Sequence, residues 1–545
     1  MFPTFFVLGC ATTPIDTADT ATDTGDTAAD TGDTAADTGD TGDSPYADVI
    51  AAIQRKAKSD LRANNASGVS VAVWKDGEIV YAEAFGTRHP DTDEAVATTT
   101  LFQIGSDTKK LTAIAALQQV QAGTLALDSA VGDVVTDLHF VVEPGLEAEL
   151  TLHELLSHQG GIYDYTPWTV APADSELHDR AVGRFAENEY ALGPSGLFWN
   201  YANPNFSLAG LMTETAAGRP WGDVLEDDVF APLGMTRSYA RLADAVADGD
   251  YATGFGVGFP DGYDTFDPLE ALGYTWGTVE VEDMADDGFT RPAGLVWSTA
   301  SDMARLGGFL IDGDAAVLDD TLREAVVTPQ VPMYPRSDAA DYGYGYGLMV
   351  NNFGWSGYDG WYMGVPLWAH GGNTMTMTSA FYVLPEQRVV VSVLSNGYAD
   401  DFTATAVTAL EGFADLPEPG TGGSFLAEPG EYDKLVGTWE DAHLAGRLVV
   451  TLDGDTLLVD APDLEAAGST VGEALEPYAL DLYLLAVDGT SYDLNYYENA
   501  DGAWLINRQF SLKKVDVNAL TATPPHAAGL PRPEPDVRPR ALGRQ

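Results

Sequence analysis

The sequence predicts a mixed α/β domain followed by a smaller domain of antiparallel strands. Three observations lead there. GVSVAVWKDGEIVYAEAFG (68–86) reads as two strands around a Lys-Asp-Gly turn. Apolar residues at helical spacing follow in 101–120 and return in 202–217, before VVVSVLSN (389–396), a short continuous apolar run of the kind a buried strand has. Past about residue 432, runs such as RLVVTLD, LDLYLLAV and SYDLNYY alternate with the turns DGD, DGT and ADG, an antiparallel pattern.

Taken in order, the chain begins MFPTFFVLGC, whose Leu-Gly-Cys resembles the lipobox of bacterial lipoproteins. The resemblance implies cleavage before Cys10 and acylation of its thiol, hence a place in the bacterial cell envelope as an outer-membrane or surface lipoprotein, facing the periplasm or the outside. A lipid on Cys10 would be the only membrane attachment, because no run approaches the ~20 apolar residues that span a bilayer. Cys10 is also the single cysteine, which excludes an intrachain disulfide. The Asp/Thr-rich segment that follows carries DTAADTG twice, at 26–32 and 33–39, with no large apolar residue at any heptad position. It can bury almost nothing, so 1–45 is expected to be a signal-like start plus a disordered, self-repelling spacer.

At 545 residues the chain is too long for one ordinary core. The expected units are a larger α/β domain at 46–415, a Pro/Gly linker at 416–431 (LPEPGTGGSFLAEPGE), a small β-barrel-like domain at 432–515, and a disordered Pro/Arg-rich tail at 516–545. The net charge is −56, and the nine aspartates between Asp16 and Asp43 leave −47 on the remainder. Such a field excludes nucleic-acid binding and electrostatic attraction to anionic lipid.

The chemistry starts in LFQIGSDTKKLTAIAALQQV (101–120). Gly105 and Ser106 stand where a helix begins, and Asp107 suits the positive end of its dipole. Residues three apart share a helix face, so the Lys109 amine lies beside the Ser106 hydroxyl as a base for a nucleophile. Four residues are weak evidence alone, since Ser511–Lys514 repeats the spacing at the end of a strand-like run. A serine activated in this way also needs a proton relay and donors for an oxyanion. GLFWNYANPNFSLAG supplies Tyr201 and Asn203: a phenol flanked by ammonium groups has its pKa lowered and can exchange protons, and the Asn203 amide can hold a substrate or Lys109. LWAHGGNTMTMTSAFYVLP supplies His370, Gly371 and Gly372 at the start of a strand along which a substrate backbone could lie.

Ser-x-x-Lys, Tyr-x-Asn and a Lys/His-x-Gly strand, in that order, form a signature that resembles the serine β-lactamase and penicillin-binding enzymes. TLHELLSHQGGIYDY (151–165), FAPLGMTRS (230–238) and RPAGLVWSTASDMARLGGFL (291–310) are similar to the LLxHxSG, PLGM and AGG-then-STAxD segments of the class C β-lactamase and D-alanyl-D-alanine carboxypeptidase branch, peptidase family S12. The resemblance covers about 48–400. It implies an antiparallel sheet flanked by helices, with a helical subdomain and the cleft between them, and an accessory β domain behind. It implies Ser106 as acylating nucleophile, Lys109 as base, Tyr201 as relay, and Asn203 as a substrate-positioning residue. The substrate strand is His370, Gly371 and Gly372, and the oxyanion hole is the backbone N–H of Ser106 and of Asn373. No metal and no organic cofactor are called for; the partner is a small-molecule or peptide substrate. His370 stands where many relatives have lysine, and a neutral imidazole holds a substrate carboxylate less firmly than an ammonium.

Three functions compete at this stage. One is an esterase, D-amino-acid peptidase or carboxypeptidase; another is a β-lactam-hydrolysing or penicillin-sensitive enzyme; the third is a catalytically silent surface-binding protein. Several decoys are set aside. In HELLSH (153–158) the histidines are five apart, ~140° around a helix, which suits structural roles better than zinc. No G-x-S-x-G elbow occurs, and Asp-Gly-Asp at 312–314 and 453–455 reads as turns. The aromatic stretches 255–276 and 355–368 are expected either to wall the cleft and select a bulky acyl group or to pack a loop onto the domain.

Overall fold

Two strands around Asp76-Gly77 open the architecture seen in the computed structural model, which describes residues 45–258, 275–335, 340–358, 360–421 and 431–515. The lipobox-like start with Cys10, the spacer, most of the linker, the tail and most of the 255–276 aromatic stretch lie outside the described residues. Helix α1 (Ala47–Asn64) leads into strands β1 (Gly68–Lys75) and β2 (Glu78–Gly86). Asp76 and Gly77 take φ of 50° and 102°, the left-handed pair that a two-residue Asp-Gly hairpin turn requires.

The chain then leaves the sheet for a mainly helical excursion containing α2 (Thr108–Ala122), α3 (Asn203–Ala217) and α4 (Ala300–Asp312). It returns through the short strands β3 (Val331–Pro332), β4 (Tyr342–Tyr344) and β5 (Met349–Asn351). The longer β6 (Leu367–Asn373), β7 (Thr378–Leu384) and β8 (Val389–Ser395) follow, before helix α5 (Thr403–Phe413). The sheet is antiparallel throughout, in the order β2-β1-β8-β7-β6-β5-β4-β3. Its first strand therefore pairs with its last, Val71 opposite Val393.

Alternation along β1 sorts the two cores. Val69, Val71 and Val73 face α1 and α5, whereas Ala72 and Trp74 join the core built with α2, α3 and α4. Helix α2 is buried at every position from Thr108 to Leu117, so it is a central rather than a surface helix. The segments singled out in the sequence hold this subdomain together. Thr151 caps its short helix reciprocally with Glu154. Asp302 of α4 accepts the backbone N–H of Arg237 at 2.8 Å, tying the PLGM-like segment to the STAxD-like one.

The β domain is a closed eight-stranded antiparallel barrel. Its strands are β9 (Gly437–Asp441), β10 (Gly446–Asp453), β11 (Thr456–Asp460), β12 (Val471–Ala479), β13 (Leu482–Val487), β14 (Thr490–Asn499), β15 (Gly502–Ile506) and β16 (Ser511–Val515). Closure comes from β16 pairing back onto β9, Lys514 opposite Trp439, which leaves no exposed sheet edge. Trp439, Tyr483, Leu485, Leu494, Leu505 and Leu512 fill the interior. Among the described residues no helix is long and apolar enough to cross a membrane.

Candidate active site

The chain enters α2 through a tight 3₁₀ turn, Gly105–Asp107, that carries the half-buried Ser106. Gly105 has φ of 52°, and a Cβ there would stand 2.5 Å from the Asn373 nitrogen. A Cβ on Gly372 would meet the Ile104 carbonyl oxygen at 2.0 Å and the Ser106 nitrogen at 2.8 Å. The glycines on both sides are thus what lets the end of β6 lie against the serine turn. This contact brings the backbone N–H groups of Ser106 and Asn373 to one place. Asp107, read as a helix-dipole partner, makes no capping bond; its carboxylate pairs with buried Lys110 and accepts from Ser379 Oγ at 2.5 Å.

Lys109 Nζ is 3.0 Å from Ser106 Oγ, 2.7 Å from Asn203 Oδ1 and 2.8 Å from the Ala293 carbonyl oxygen. The lysine is fully buried, and burial holds its pKa well below that of an ordinary amine; Arg508 and Lys110 push the same way, against Asp164 and Asp107. A neutral amine suits these three contacts. Its two N–H groups donate to Asn203 Oδ1 and to Ala293, and its lone pair is left for the Ser106 hydroxyl proton. Tyr201 O–H donates to Ser106 Oγ at 2.8 Å, and Lys109 Nζ lies 4.7 Å from the Tyr201 ring centre.

One expectation is reversed here. The Tyr201 phenol is not lowered by its cationic neighbours: burial pushes its pKa above the ordinary value, and the Ser106 bond and Arg508 offset only part of this. The phenol is therefore held protonated, as a donor. Asn203 opens α3, with Pro204 in the first turn. Its N–H donates to Asp164 Oδ1 at 2.7 Å and its amide to Thr166 Oγ1 at 2.8 Å. His158, from the HELLSH segment, is fully buried, and its Nδ1 accepts from the Ala202 N–H at 3.3 Å. Its ring lies 4.2 Å from that of Tyr201, so this structural histidine fixes the Tyr-x-Asn segment.

His370 is 1% exposed. Its Nδ1 lies 2.6 Å from the Gly371 carbonyl, which can only accept, so Nδ1 carries the proton and Nε2 takes the Tyr344 O–H at 3.1 Å. Burial, with the Lys110 ammonium nearby, holds the imidazole neutral, its pKa well below the ordinary value. Placed among the substrate-strand residues from sequence, His370 spends both ring nitrogens on the protein itself. Gly371 and Gly372 lie on β6, near its end and not at its start as expected, because the strand already begins at Leu367.

Sequence reasoning missed three contributors: the Ala293 carbonyl, Asp164 and Arg508. The first two fall inside segments already marked by motif, 291–310 and 151–165. Arg508 comes from the turn between β15 and β16 of the barrel and carried no local signal. The aromatic stretch 355–368 is divided between the two cores, with Trp368 of β6 packed against the one built with α2, α3 and α4. Trp355 and Tyr362 lie in the core shared with α1 and α5, where Tyr362 O–H donates to Glu411 Oε1 at 3.0 Å. Ser511 and Lys514 sit on barrel strand β16, with Lys514 Nζ donating to the Lys434 carbonyl at 2.6 Å.

The Beta-lactamase family model matches residues 52–413. Penicillin-binding protein 4 of Amycolatopsis lactamdurans is 30% identical over 336 residues, which are 61% of this chain and 81% of that protein. Esterase EstB of Burkholderia gladioli is 29% identical over 202 residues, 35% of this chain and 51% of that one. Among solved structures, the crystal structure of SurE has the same fold, with a TM-score of 0.59 at 20% identity, over 86% of this chain and 99% of its own. With the helix-flanked sheet of the β-lactamase/transpeptidase fold, and a family match spanning the serine turn, the Tyr-x-Asn segment and β6, the chain belongs to the β-lactamase family of serine hydrolases.

Proposed function

We propose that this protein is a Ser106-dependent acyl hydrolase that cleaves an ester, an amide or a D-amino-acid peptide bond in the cell envelope, tethered through a lipid on Cys10. The reading rests on the serine hydroxyl lying within hydrogen-bond distance of both a buried lysine amine and a protonated tyrosine. Lys109 Nζ takes the Ser106 proton as Oγ bonds to the substrate carbonyl carbon. The backbone N–H groups of Ser106 and Asn373 receive the oxyanion. As the tetrahedral carbon collapses, Tyr201 gives its proton to the departing oxygen or nitrogen and is reprotonated from Lys109. Water then repeats the sequence on the acyl-enzyme and frees Ser106. Asn203 orients Lys109. His370, neutral and bonded to Tyr344, supports β6 rather than binding a substrate charge.

Hydrolysis or binding of β-lactams is a second reading, favoured by the likeness to a penicillin-binding protein. Intact-mass spectrometry with a fluorophosphonate tests the shared chemistry. A single phosphonyl adduct, absent in Ser106→Ala, is expected. No adduct on the wild-type protein would return it to the silent binding proteins. A penicillin in the same assay separates the two readings: a Ser106-dependent adduct or drug loss places it with the second.

A further inference from the structure

The barrel reaches the candidate active site through one turn. Asn507–Phe510 connects β15 to β16 and is held rigidly: Asn507 N–H donates to the Phe510 carbonyl at 2.9 Å, its amide donates to the Asp493 carbonyl at 3.0 Å, and Phe510 is buried in the barrel core. Arg508 projects from this turn. Its guanidinium pairs with Asp164, 344 residues away in sequence, and lies 4.8 Å from the Tyr201 ring centre. Asp164 accepts the Asn203 N–H, and Asn203 Oδ1 accepts from Lys109 Nζ, so a continuous chain of polar contacts runs from the barrel to the base beside Ser106. Two ring contacts and a hydrogen bond seat the barrel around this turn. The Tyr190 and His443 rings stack at 3.8 Å, Phe198 meets Tyr497 at 5.4 Å, and Tyr190 O–H donates to the Gln509 carbonyl at 3.4 Å.

We propose that the barrel belongs to the catalytic apparatus, with Arg508 a positioning residue that neutralises Asp164 and so leaves Lys109 able to act as the base for Ser106. This rests on the reading of Ser106 as nucleophile. Two anions act on the Lys109 amine, Asp164 and Asp107, and Asp107 already has Lys110 as its partner. Around them stand uncharged Tyr201, His158 and His370. Without Arg508, Asp164 would keep the Asn203 N–H but lack a cationic partner in a partly dry site, and the amine would also lose a neighbouring cation. Both changes favour the ammonium, which cannot accept the serine proton. Ser106 is then fully reactive only while the barrel is docked.

The test is the rate of Ser106 phosphonylation against pH in the full-length protein, with Ser106→Ala as blank. Arg508→Ala is expected to move the acid limb up by about one pH unit and so to slow labelling by about tenfold at pH values below the limb, where the two are equivalent. Arg508→Lys should recover most of the rate. Asp164→Asn should move the limb the other way, and combined with Arg508→Ala it should restore labelling, a non-additivity that a purely structural role cannot produce. A wild-type limb in Arg508→Ala, or a loss equal at every pH that Asp164→Asn fails to relieve, overturns the proposal while leaving Ser106 as nucleophile. If Arg508→Ala does not fold, the limbs of Arg508→Lys and Asp164→Asn decide it alone: no displacement in Asp164→Asn overturns it. A wild-type protein that does not label at any pH refutes the nucleophile itself.

Discussion

At the scale of single residues, the site is governed by removal of water from ionisable groups. Lys109 and Tyr201 are both buried, and burial acts on them in opposite directions. It weakens the hold of the amine on its proton and strengthens that of the phenol, because the neutral form is favoured in each case. The pair is thereby poised as base and acid around one hydroxyl. Tyr201→Phe keeps the ring that His158 packs against and removes only the donor. It is expected to lower kcat/KM by ~10²–10⁴, the usual contribution of a general acid–base group, with little loss of thermal stability. Activity close to wild type in steady-state assays would take Tyr201 out of the proton path.

At the scale of elements, position on the sheet decides what a residue can do. Strand β6 runs past the serine turn at its glycine end, while its start, together with the aromatic stretch before it, contributes to the opposite core. Trp355 is fully buried there and packs against Tyr362, ring centres 4.7 Å apart and planes tilted by 39°. Trp355→Ala is therefore expected to lower the unfolding free energy of the catalytic domain by ~3–5 kcal/mol, read from urea unfolding. The ratio of kcat/KM between short- and long-acyl esters should stay unchanged. A shift in that ratio without loss of stability would return the stretch to the cleft.

At the scale of the whole molecule, charge dominates. A chain with 83 acidic and 27 basic residues repels itself on folding. Ion pairs such as Arg388 with Asp312, at 2.6 Å on the surface, can engage only part of this acidic excess. Raising NaCl shortens the Debye length from ~30 Å at 0.01 M to ~3 Å at 1 M and screens the longer-range repulsion first. The Tm is expected to rise across that range in scanning calorimetry. A falling Tm would mean that local ion pairs, and not the net field, set the electrostatic balance.

Some of this was legible without coordinates, because it depends on short spacings. The Asp-Gly hairpin, the shared helix face of Ser106 and Lys109 and the strand-rich barrel follow from periods of two or 3.6 residues and from turn chemistry, whereas the ordered motifs were legible through their resemblance to a known family. The proton affinities were not legible, since they depend on how much water the neighbours exclude. The expected lowering of Tyr201 failed for that reason. Nor could local pattern show that Ala293, 184 residues from Lys109, would turn its carbonyl to the amine, or that both nitrogens of His370 would be occupied from within. Arg508 is the extreme case. Its turn reads like any other between two strands, and only the docking of a closed barrel against the catalytic domain places a guanidinium beside Tyr201. Ordered motifs and their family resemblance pointed to the reacting groups; packing across the chain decided their charge and their company.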